Sequence, residues 1–313
     1  MQKCPVIIAI HYTSYGAQWR DLLAERLTNF EIRLWPDWGD LAEIDYAVAW
    51  TPPDGLLRQC ENLKAVFSIG AGVDQLLADP DYPRNVPLIR MTDDILAEGM
   101  AEYVTLAVLA LHRDLLRYLD FQRTADWQPL PQRYPQDHKV GIMGFGKLGQ
   151  AAALALKPFG FEISGWSRTP KQLAGVESFA GLEQLPDFLA PLDFLVVLLP
   201  LTDDTQGMVN ADLLSSLPRG ASVINAARGG LIDIETLKPL IDGGALGHLW
   251  LDVHHVEPLP ADHWTWAHPN VVVTPHIAAA TLPRTASNLV ADGILQMKAG
   301  QMPANVVEFD KGY

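Results

Sequence analysis

The chain has 313 residues, 49% hydrophobic and 19% charged, a composition typical of a folded globular protein. Its 37 acidic and 23 basic residues give a net charge of −14. Because such a surface repels nucleic acid and anionic lipid, we exclude both as main partners. The two cysteines, Cys4 and Cys60, are too few for a disulfide scaffold and lack the spacing of a metal site, so we predict no metal. The length predicts two domains.

The N-terminal third predicts a parallel sheet. Its first apolar run, Pro5 to Ile10, is too short for a signal-peptide core or a membrane span, so we predict a cytosolic protein without a membrane segment. Short apolar runs alternate with helical stretches, as in β-α-β units. The predicted strands are Val6–Ile10, Ile32–Trp35, Tyr46–Trp50 and Ala65–Ile69, and the helical stretches between them are Gln18–Leu27 and Asp54–Cys60.

The middle of the chain predicts one long helix followed by an irregular connector. Apolar residues keep helical spacing from Ala97 to Phe121. The connector, from Arg123 to Asp137, contains three prolines and Trp127.

The second half predicts a doubly wound nucleotide-binding domain, because six apolar strands alternate with helices. Asp233 is the predicted N-cap of the helix that ends at Gly243 and Gly244. The six strands are Val140–Met143, Glu162–Gly165, Phe194–Leu199, Ser222–Asn225, Leu249–Asp252 and Val271–Thr274.

A glycine-rich turn joins the first of these strands to a helix. Gly144 allows a tight turn, Gly146 allows close approach of a pyrophosphate, and Gly149 allows the helix to pack on the strand. The N–H groups at the helix start, around Lys147 and Leu148, would point at the phosphates. The alternative is a plain tight turn, but the flanking strand and helix favour dinucleotide binding.

The turn after the second strand lacks the acidic residue that binds the ribose 2′-hydroxyl of NAD in many Rossmann domains. Ser167 and Arg168 stand in its place, with Lys171 close behind. Because Arg binds a phosphate through two N–H donors, this turn predicts NADP. The alternative is a solvated basic turn without a ligand.

Three polar residues follow successive strands and suit the reduction of a carbonyl group. Arg228 follows the fourth strand, Glu257 lies beyond the fifth, and His276 follows the sixth. Arg can hold a carboxylate, His can deliver a proton, and a Glu beside the His favours its charged form. Taken singly, Arg228 is equally consistent with a surface ion pair and His276 with a structural histidine, and an isolated Glu257 is more often a solvated loop acid. Their joint placement where parallel sheets bind ligands favours a catalytic set.

These motifs resemble the D-isomer-specific 2-hydroxyacid dehydrogenases across nearly the whole chain. The resemblance is carried by the glycine loop, Asn-Ala-Ala-Arg-Gly, Leu-Asp-Val with Glu-Pro beyond it, and Thr-Pro-His-Ile-Ala. One departure is His254, since many relatives have an aromatic residue there. Within the family the chain is most similar to bacterial glyoxylate/hydroxypyruvate reductases, through the segments Gly70–Asp74, Trp127–Pro131, Trp166–Thr169 and Gly312–Tyr313.

The resemblance implies a role for each residue of the site. Arg228 would bind the substrate carboxylate and carbonyl, and His276 would donate the proton with Glu257 as its partner. The N–H groups around Ala71 and Gly72 would hold the carboxylate from the other domain. Asp252 would contact the amide of the nicotinamide. Trp127 would lie on an arm that reaches the site of a neighbouring subunit. The remaining residues predicted for the cofactor site are Leu199, Pro200, Thr205, Ala226 and Ala278.

The predicted fold class is α/β, with two doubly wound parallel-sheet domains. Residues 102–283 form a Rossmann NADP-binding domain, and residues 1–101 and 284–313 form a flavodoxin-like substrate domain, because the family fold returns the C-terminal segment to the first domain. The predicted function is the NADPH-dependent reduction of small anionic 2-oxo acids, glyoxylate and hydroxypyruvate, by a cytoplasmic homodimer. The alternatives are a reductase of bulkier 2-oxo acids and a non-catalytic dinucleotide-sensing regulator.

Overall fold

The computed structural model describes residues 5–12 and 14–312 and divides the chain into two compact units. Unit 1 comprises Met1–Leu96 and Ala280–Tyr313, and unit 2 comprises Ala97–Ala279. The chain therefore passes from one unit to the other twice. Cys4 and Tyr313, both used in the sequence analysis, lie outside the described residues.

Unit 1 contains a parallel sheet, which in the described part of the chain has five strands in the order β2-β1-β3-β4-β5. This is the flavodoxin-like strand order. The fifth strand was not predicted, because two residues are too few to show a hydrophobic period. The elements are strands β1 (Val6–His11), β2 (Phe30–Leu34), β3 (Tyr46–Ala49), β4 (Ala65–Ser68) and β5 (Leu88–Ile89), and helices α1 (Gly16–Arg26), α2 (Asp74–Leu77) and α9 (Pro283–Lys298).

Successive residues of β1 pack into two different apolar clusters, one on each face of the sheet. Ile7 and Ala9 belong to one cluster, and Ile8 and Ile10 belong to the other. The second cluster includes Val290 and other apolar residues of α9. Because side chains alternate across a strand, a strand covered on both faces must be apolar at every position.

Unit 2, all of whose residues are described, contains a seven-stranded parallel sheet in the order β12-β11-β10-β9-β6-β7-β8. The order reverses between β6 and β9, which is the switch point where Rossmann folds bind nucleotides. The α/β fold class with two doubly wound sheets is thus confirmed. The strands are β6 (Lys139–Met143), β7 (Glu162–Ser167), β8 (Glu177–Ala180), β9 (Phe194–Val197), β10 (Ala221–Asn225), β11 (Leu246–Leu251) and β12 (Val271–Val273).

The helices correct two predictions, one in each unit. The single long helix is wrong, because the chain breaks at Asp114, which has a left-handed φ of 52°. Asp233 is the N-cap residue of α8 and Gly243 its C-cap residue, as predicted, although the side chain of Asp233 makes no capping hydrogen bond. In unit 1, Asp54–Cys60 forms only the 3-10 turn Leu57–Gln59. The helices are α3 (Asp94–His112), α4 (Leu115–Thr124), α5 (Lys147–Leu156), α6 (Leu185–Leu189), α7 (Ala211–Leu214) and α8 (Ile234–Asp242).

Helix α3 is long and apolar enough to cross a membrane by length and composition, but 61% of its most apolar stretch is buried inside the fold. Val104, Ala107, Val108 and Leu111 belong to the apolar core of unit 2. Their helical spacing packs one face of α3 against that core.

Candidate active site

The glycine loop joins β6 to α5 in a conformation that only glycine tolerates. Gly144 has a φ of +109°, and a β-carbon there would collide with the backbone of Leu198. Its N–H group donates to the carbonyl of Trp166 at 2.9 Å. A β-carbon on Gly146 would meet no atom within 4 Å, so this side of the loop is open. The loop therefore has the constraint and the free approach that a pyrophosphate requires.

The start of α5 fits an anion. Gly146 occupies its N-cap and has no side chain with which to cap the first N–H groups of the helix. A β-carbon on Gly149 would collide with the carbonyl oxygen of Gly144, which accounts for the third glycine. The helix dipole adds partial positive charge at this end.

The turn after β7 carries two cations and one nearby acid. Ser167 ends the strand and donates its hydroxyl to the carbonyl of Thr169 at 2.7 Å. Nη1 of Arg168 lies 3.9 Å from Oδ2 of Asp204, and both side chains are more than half exposed. Lys171 is exposed close behind. Sequence reasoning missed Asp204, because it comes from the loop after β9 and only the fold brings it to this turn.

The loop after β9 is closed by a threonine. Thr205 donates its hydroxyl to the carbonyl of Pro200 at 2.7 Å and accepts the N–H of Thr202 at 2.9 Å. Leu199, at the start of the loop, is buried. The predicted cofactor residues Leu199, Pro200 and Thr205 thus belong to one hydrogen-bonded turn at the carboxyl edge of the sheet.

Arg228 lies in a loop that a buried asparagine shapes. Asn225 donates to the carbonyl of Arg228 at 2.9 Å and accepts the N–H of Ala227 at 3.1 Å. Nη1 of Arg228 donates to the carbonyl of Ala227 at 2.7 Å. A β-carbon on Gly229 would collide with the backbone of His254. Asn225 and Gly229 are positioning residues that sequence reasoning missed, although both lie in the Asn-Ala-Ala-Arg-Gly motif. Ala226, beside Asn225, is buried.

Glu257 and His276 lie in contact. Oε2 of Glu257 is 2.8 Å from Nδ1 of His276, and Oε1 accepts the N–H of His254 at 2.9 Å. Burial acts to raise the pKa of Glu257, but the hydrogen bonds from His276 and His254 outweigh it and hold this pKa below its ordinary value. Nε2 of His276 has no partner in this fully described unit, so it is the nitrogen left for a ligand.

Asp252 is fully buried and holds the turn that carries His276. Its carboxylate accepts the N–H groups of Ile277 at 2.9 Å and Ala278 at 2.8 Å, together with the hydroxyl of Thr274 at 2.6 Å. Its carbonyl accepts the N–H of His276 at 2.8 Å. His276 has a φ of 55°, a left-handed conformation that a histidine adopts only when its surroundings fix it.

In unit 1, the loop after β4 presents two free N–H groups. The hydroxyl of Ser68 lies 3.1 Å from the carbonyls of Gly70 and Gly72 and accepts the N–H of Gly70 at 3.3 Å. Ala71 and Gly72 are partly exposed, and within the described residues their N–H groups have no acceptor. The ring of Trp50 lies against Gly70, where a side chain would collide with it.

Trp127 lies on the connector after α4 and is 98% exposed. The N–H of Leu130, further along this connector, donates to the hydroxyl of Tyr118 at 2.9 Å. Unit 2 thus brings Glu257, His276 and Asp252 together and leaves Trp127 in solvent.

Comparison with known proteins identifies the family. A profile described as "D-isomer specific 2-hydroxyacid dehydrogenase, NAD binding domain" matches residues 105–278. The chain is 41% identical to glyoxylate/hydroxypyruvate reductase A of Serratia proteamaculans, over 98% of this chain and 99% of that protein. It is equally similar, at 41% identity and the same coverage, to the protein of that name from Yersinia enterocolitica.

Solved structures agree with this family. An NADPH-dependent glyoxylate/hydroxypyruvate reductase from Sinorhizobium meliloti, in complex with NADP and sulfate, is 38% identical with a TM-score of 0.93, covering 99% of this chain and 100% of that one. A D-isomer-specific 2-hydroxyacid dehydrogenase from Xanthobacter autotrophicus Py2, in complex with NADPH and MES, is 40% identical with a TM-score of 0.93, covering 98% and 99%. The chain therefore belongs to the D-isomer-specific 2-hydroxyacid dehydrogenase family.

Proposed function

We propose that this protein is an NADPH-dependent reductase of small 2-oxo acids, converting glyoxylate to glycolate and hydroxypyruvate to D-glycerate. The observation that carries the proposal is the Glu257–His276 pair at the same sheet edge as the open glycine loop. The relatives from Serratia and Yersinia, which share almost the full length of the chain, carry the name of this activity.

The proposed cofactor residues surround the carboxyl edge of the unit 2 sheet. The N–H groups of Lys147, Leu148 and Gly149 would hold the pyrophosphate. Arg168 and Lys171 would bind the 2′-phosphate as cations, with Ser167 as a hydrogen-bonding partner. The residues proposed to line the rest of the cofactor site are Gly144, Gly146, Leu199, Pro200, Thr205, Ala226, Asp252 and Ala278.

Arg228 is the proposed substrate residue of unit 2. Its planar guanidinium can pair with the carboxylate and the carbonyl oxygen of a 2-oxo acid at once. In unit 1, we propose the free N–H groups of Ala71 and Gly72 as donors to a carboxylate. Trp127, which is fully exposed on its arm, is proposed to reach the site of a second subunit in a cytoplasmic homodimer.

The proposed chemistry is a proton transfer beside a hydride transfer. NADPH, when bound, supplies the hydride to C2 of the substrate. Oε2 of Glu257 lies against Nδ1 of His276 at 2.8 Å, which leaves Nε2 as the nitrogen that would carry the proton for the carbonyl oxygen. Arg228 and His276 together stabilise the negative charge that develops on this oxygen.

Turnover measurements test this function against its alternatives. We expect NADPH oxidation with glyoxylate and hydroxypyruvate, and lower kcat/KM with 2-oxobutyrate and phenylpyruvate. A preference for phenylpyruvate would favour the reductase of bulkier acids. Tight NADPH binding without turnover of any 2-oxo acid would favour the dinucleotide-sensing regulator.

A further inference from the structure

A chain of hydrogen-bonded side chains runs through the interior of unit 2 and ends at the turn that carries His276. Nε1 of Trp250 donates to the hydroxyl of Tyr103 at 2.8 Å, and this hydroxyl lies 2.5 Å from Oγ1 of Thr274. Thr274 in turn donates to Oδ1 of Asp252 at 2.6 Å. Tyr103 belongs to α3, a helix that no sequence motif connected with the site.

The groups at the two ends of this series of hydrogen bonds determine which atom donates in each bond. An indole N–H can only donate, so the oxygen of Tyr103 accepts from Trp250. A carboxylate can only accept, so the single hydroxyl proton of Thr274 goes to Asp252. Oγ1 of Thr274 must therefore accept the proton of Tyr103, and all the bonds point toward Asp252.

Asp252, whose side chain is oriented by Thr274, in turn holds the backbone of the turn that carries His276. Besides Thr274, its carboxylate holds the N–H groups of Ile277 and Ala278, and its carbonyl holds the N–H of His276. Three successive N–H groups thus converge on one buried residue. This convergence keeps His276 in its left-handed conformation, with Nδ1 against Glu257.

Burial keeps the donor of this chain intact. Tyr103 is buried in the core of unit 2 beside Val104 and Ala107. Burial raises the pKa of Tyr103 to about 12. Its hydroxyl proton is therefore present throughout the pH range in which a histidine acts as an acid.

We propose that Tyr103, supported by Trp250, is a positioning residue for His276. Its hydroxyl orients Thr274, Thr274 orients Asp252, and Asp252 sets the turn from which His276 delivers its proton. This inference rests on the proposed role of His276 as the proton donor. Neither Tyr103 nor Trp250 belongs to a motif that sequence analysis connected with the reaction.

The test compares conservative variants that remove or keep one hydroxyl. Tyr103→Phe and Thr274→Val each remove a hydroxyl and interrupt the series of side-chain hydrogen bonds, whereas Thr274→Ser keeps the hydroxyl. Tyr82→Phe is the matched control, because Tyr82 is a buried tyrosine of unit 1 whose hydroxyl has no partner in the described residues. The measurements are kcat and KM for glyoxylate, the affinity for NADPH, and kcat as a function of pH.

We expect kcat to fall about tenfold to a hundredfold in Tyr103→Phe and Thr274→Val, the cost of a slightly misplaced catalytic group. The pH profile of kcat should also shift in both variants, since the contact of His276 with Glu257 loosens. NADPH affinity should change far less than kcat, because the cofactor's phosphates are proposed to bind at the glycine loop, and Thr274→Ser and Tyr82→Phe should have the kcat of the wild type. A wild-type kcat and pH profile in Tyr103→Phe would overturn the inference.

A double variant separates positioning from mere stability. In a His276→Ala background, Tyr103→Phe should cause no further loss of turnover, because there is no longer a group to position. An equal loss in both backgrounds would show a general structural role and overturn the inference. If His276→Ala alone had normal turnover, the proposed function would fail at His276. If His276→Ala were inactive and Tyr103→Phe fully active, only the present inference would fail.

Discussion

Oε2 of Glu257 lies 2.8 Å from Nδ1 of His276. The other carboxylate oxygen of Glu257 is held by the N–H of His254, so the pair has a fixed orientation. Nε2, the other ring nitrogen of His276, has no partner among the residues of unit 2.

Replacing His276 by Ala should lower kcat for glyoxylate reduction by about 10²–10⁴-fold, the usual contribution of a placed acid. NADPH affinity should survive, because the proposed phosphate contacts lie on the glycine loop. Steady-state kinetics and a fluorescence titration with NADPH measure the two quantities separately. Near-normal turnover would exclude His276 as the proton donor.

Replacing Glu257 by Gln should move the basic limb of the reduction profile to lower pH. The lowered pKa of Glu257 keeps its carboxylate charged at neutral pH, where it stabilises positive charge on His276. The carboxylate of Glu257 is ionised above the ordinary pKa of a glutamate, and its effect on His276 is lost only as pH falls through the lowered pKa of Glu257. An amide lacks the charge at every pH. A basic limb that did not move would exclude Glu257 as the partner of His276.

Local motifs directed the prediction of a site to one sheet edge, because parallel strands bring their carboxyl ends to the same edge. Gly144, Arg228 and His276 each follow a strand, and sheet topology alone gathers them there. Asp204 escaped prediction because it reaches Arg168 only through the fold. The hydrogen bond between Tyr103 and Thr274 escaped prediction for the same reason, since no spacing links a helix residue to a strand end far along the chain.

The fold was predicted where hydrophobic period and length were sufficient. The central strands of both sheets are buried on both faces and gave uninterrupted apolar runs. Strand β8 has exposed and partly exposed residues at the sheet edge, so its sequence gave no comparable signal. The break between α3 and α4 depends on the φ of Asp114, which leaves the apolar period unchanged on both sides.

Unit 2 should lose stability in mild acid because of a buried histidine. Burial, then the charges of His138, Arg133 and Arg113, lowers the pKa of His112 below 6.5, against an opposing effect of Asp114. The folded state therefore binds fewer protons than the unfolded state as pH falls below the ordinary value, and stability falls with it. His112→Phe should flatten the dependence of Tm on pH in this range, whereas the exposed control His255→Gln should not. An unchanged slope in His112→Phe would contradict this origin.

The surface of unit 2 predicts a two-fold dimer. Leu106, Leu115, Leu119 and Trp127 are exposed on α3, α4 and the connector that follows. An apolar surface of this kind is typical of an interface between subunits. Leu119→Lys should shift the equilibrium toward the monomer in light scattering, with Leu154→Lys, at an exposed site on α5, as the control. A wild-type monomer at micromolar concentration would contradict the prediction.

Cofactor preference should depend on the turn after β7. Each hydrogen bond to a charged phosphate contributes about 1.5–3 kcal/mol, which is roughly 10–150-fold in affinity. Arg168→Ala should therefore weaken NADPH and leave NADH nearly unaffected. Ser167→Asp should lower the preference for NADPH over NADH still further, because its carboxylate repels the 2′-phosphate and accepts a hydrogen bond from a ribose hydroxyl. The measurement is kcat/KM with both cofactors.

The contact of Arg168 with Asp204 supplies a control of opposite sign. Because this acid lies 3.9 Å from the guanidinium and is itself mostly exposed, it competes with a bound phosphate for Arg168. Asp204→Asn should therefore strengthen NADPH binding modestly and leave NADH unaffected, while Arg168→Ala should abolish this gain in the double variant. Equal losses with both cofactors in Arg168→Ala would show that the 2′-phosphate is bound elsewhere. A wild-type preference for NADH would show that this turn does not select NADPH.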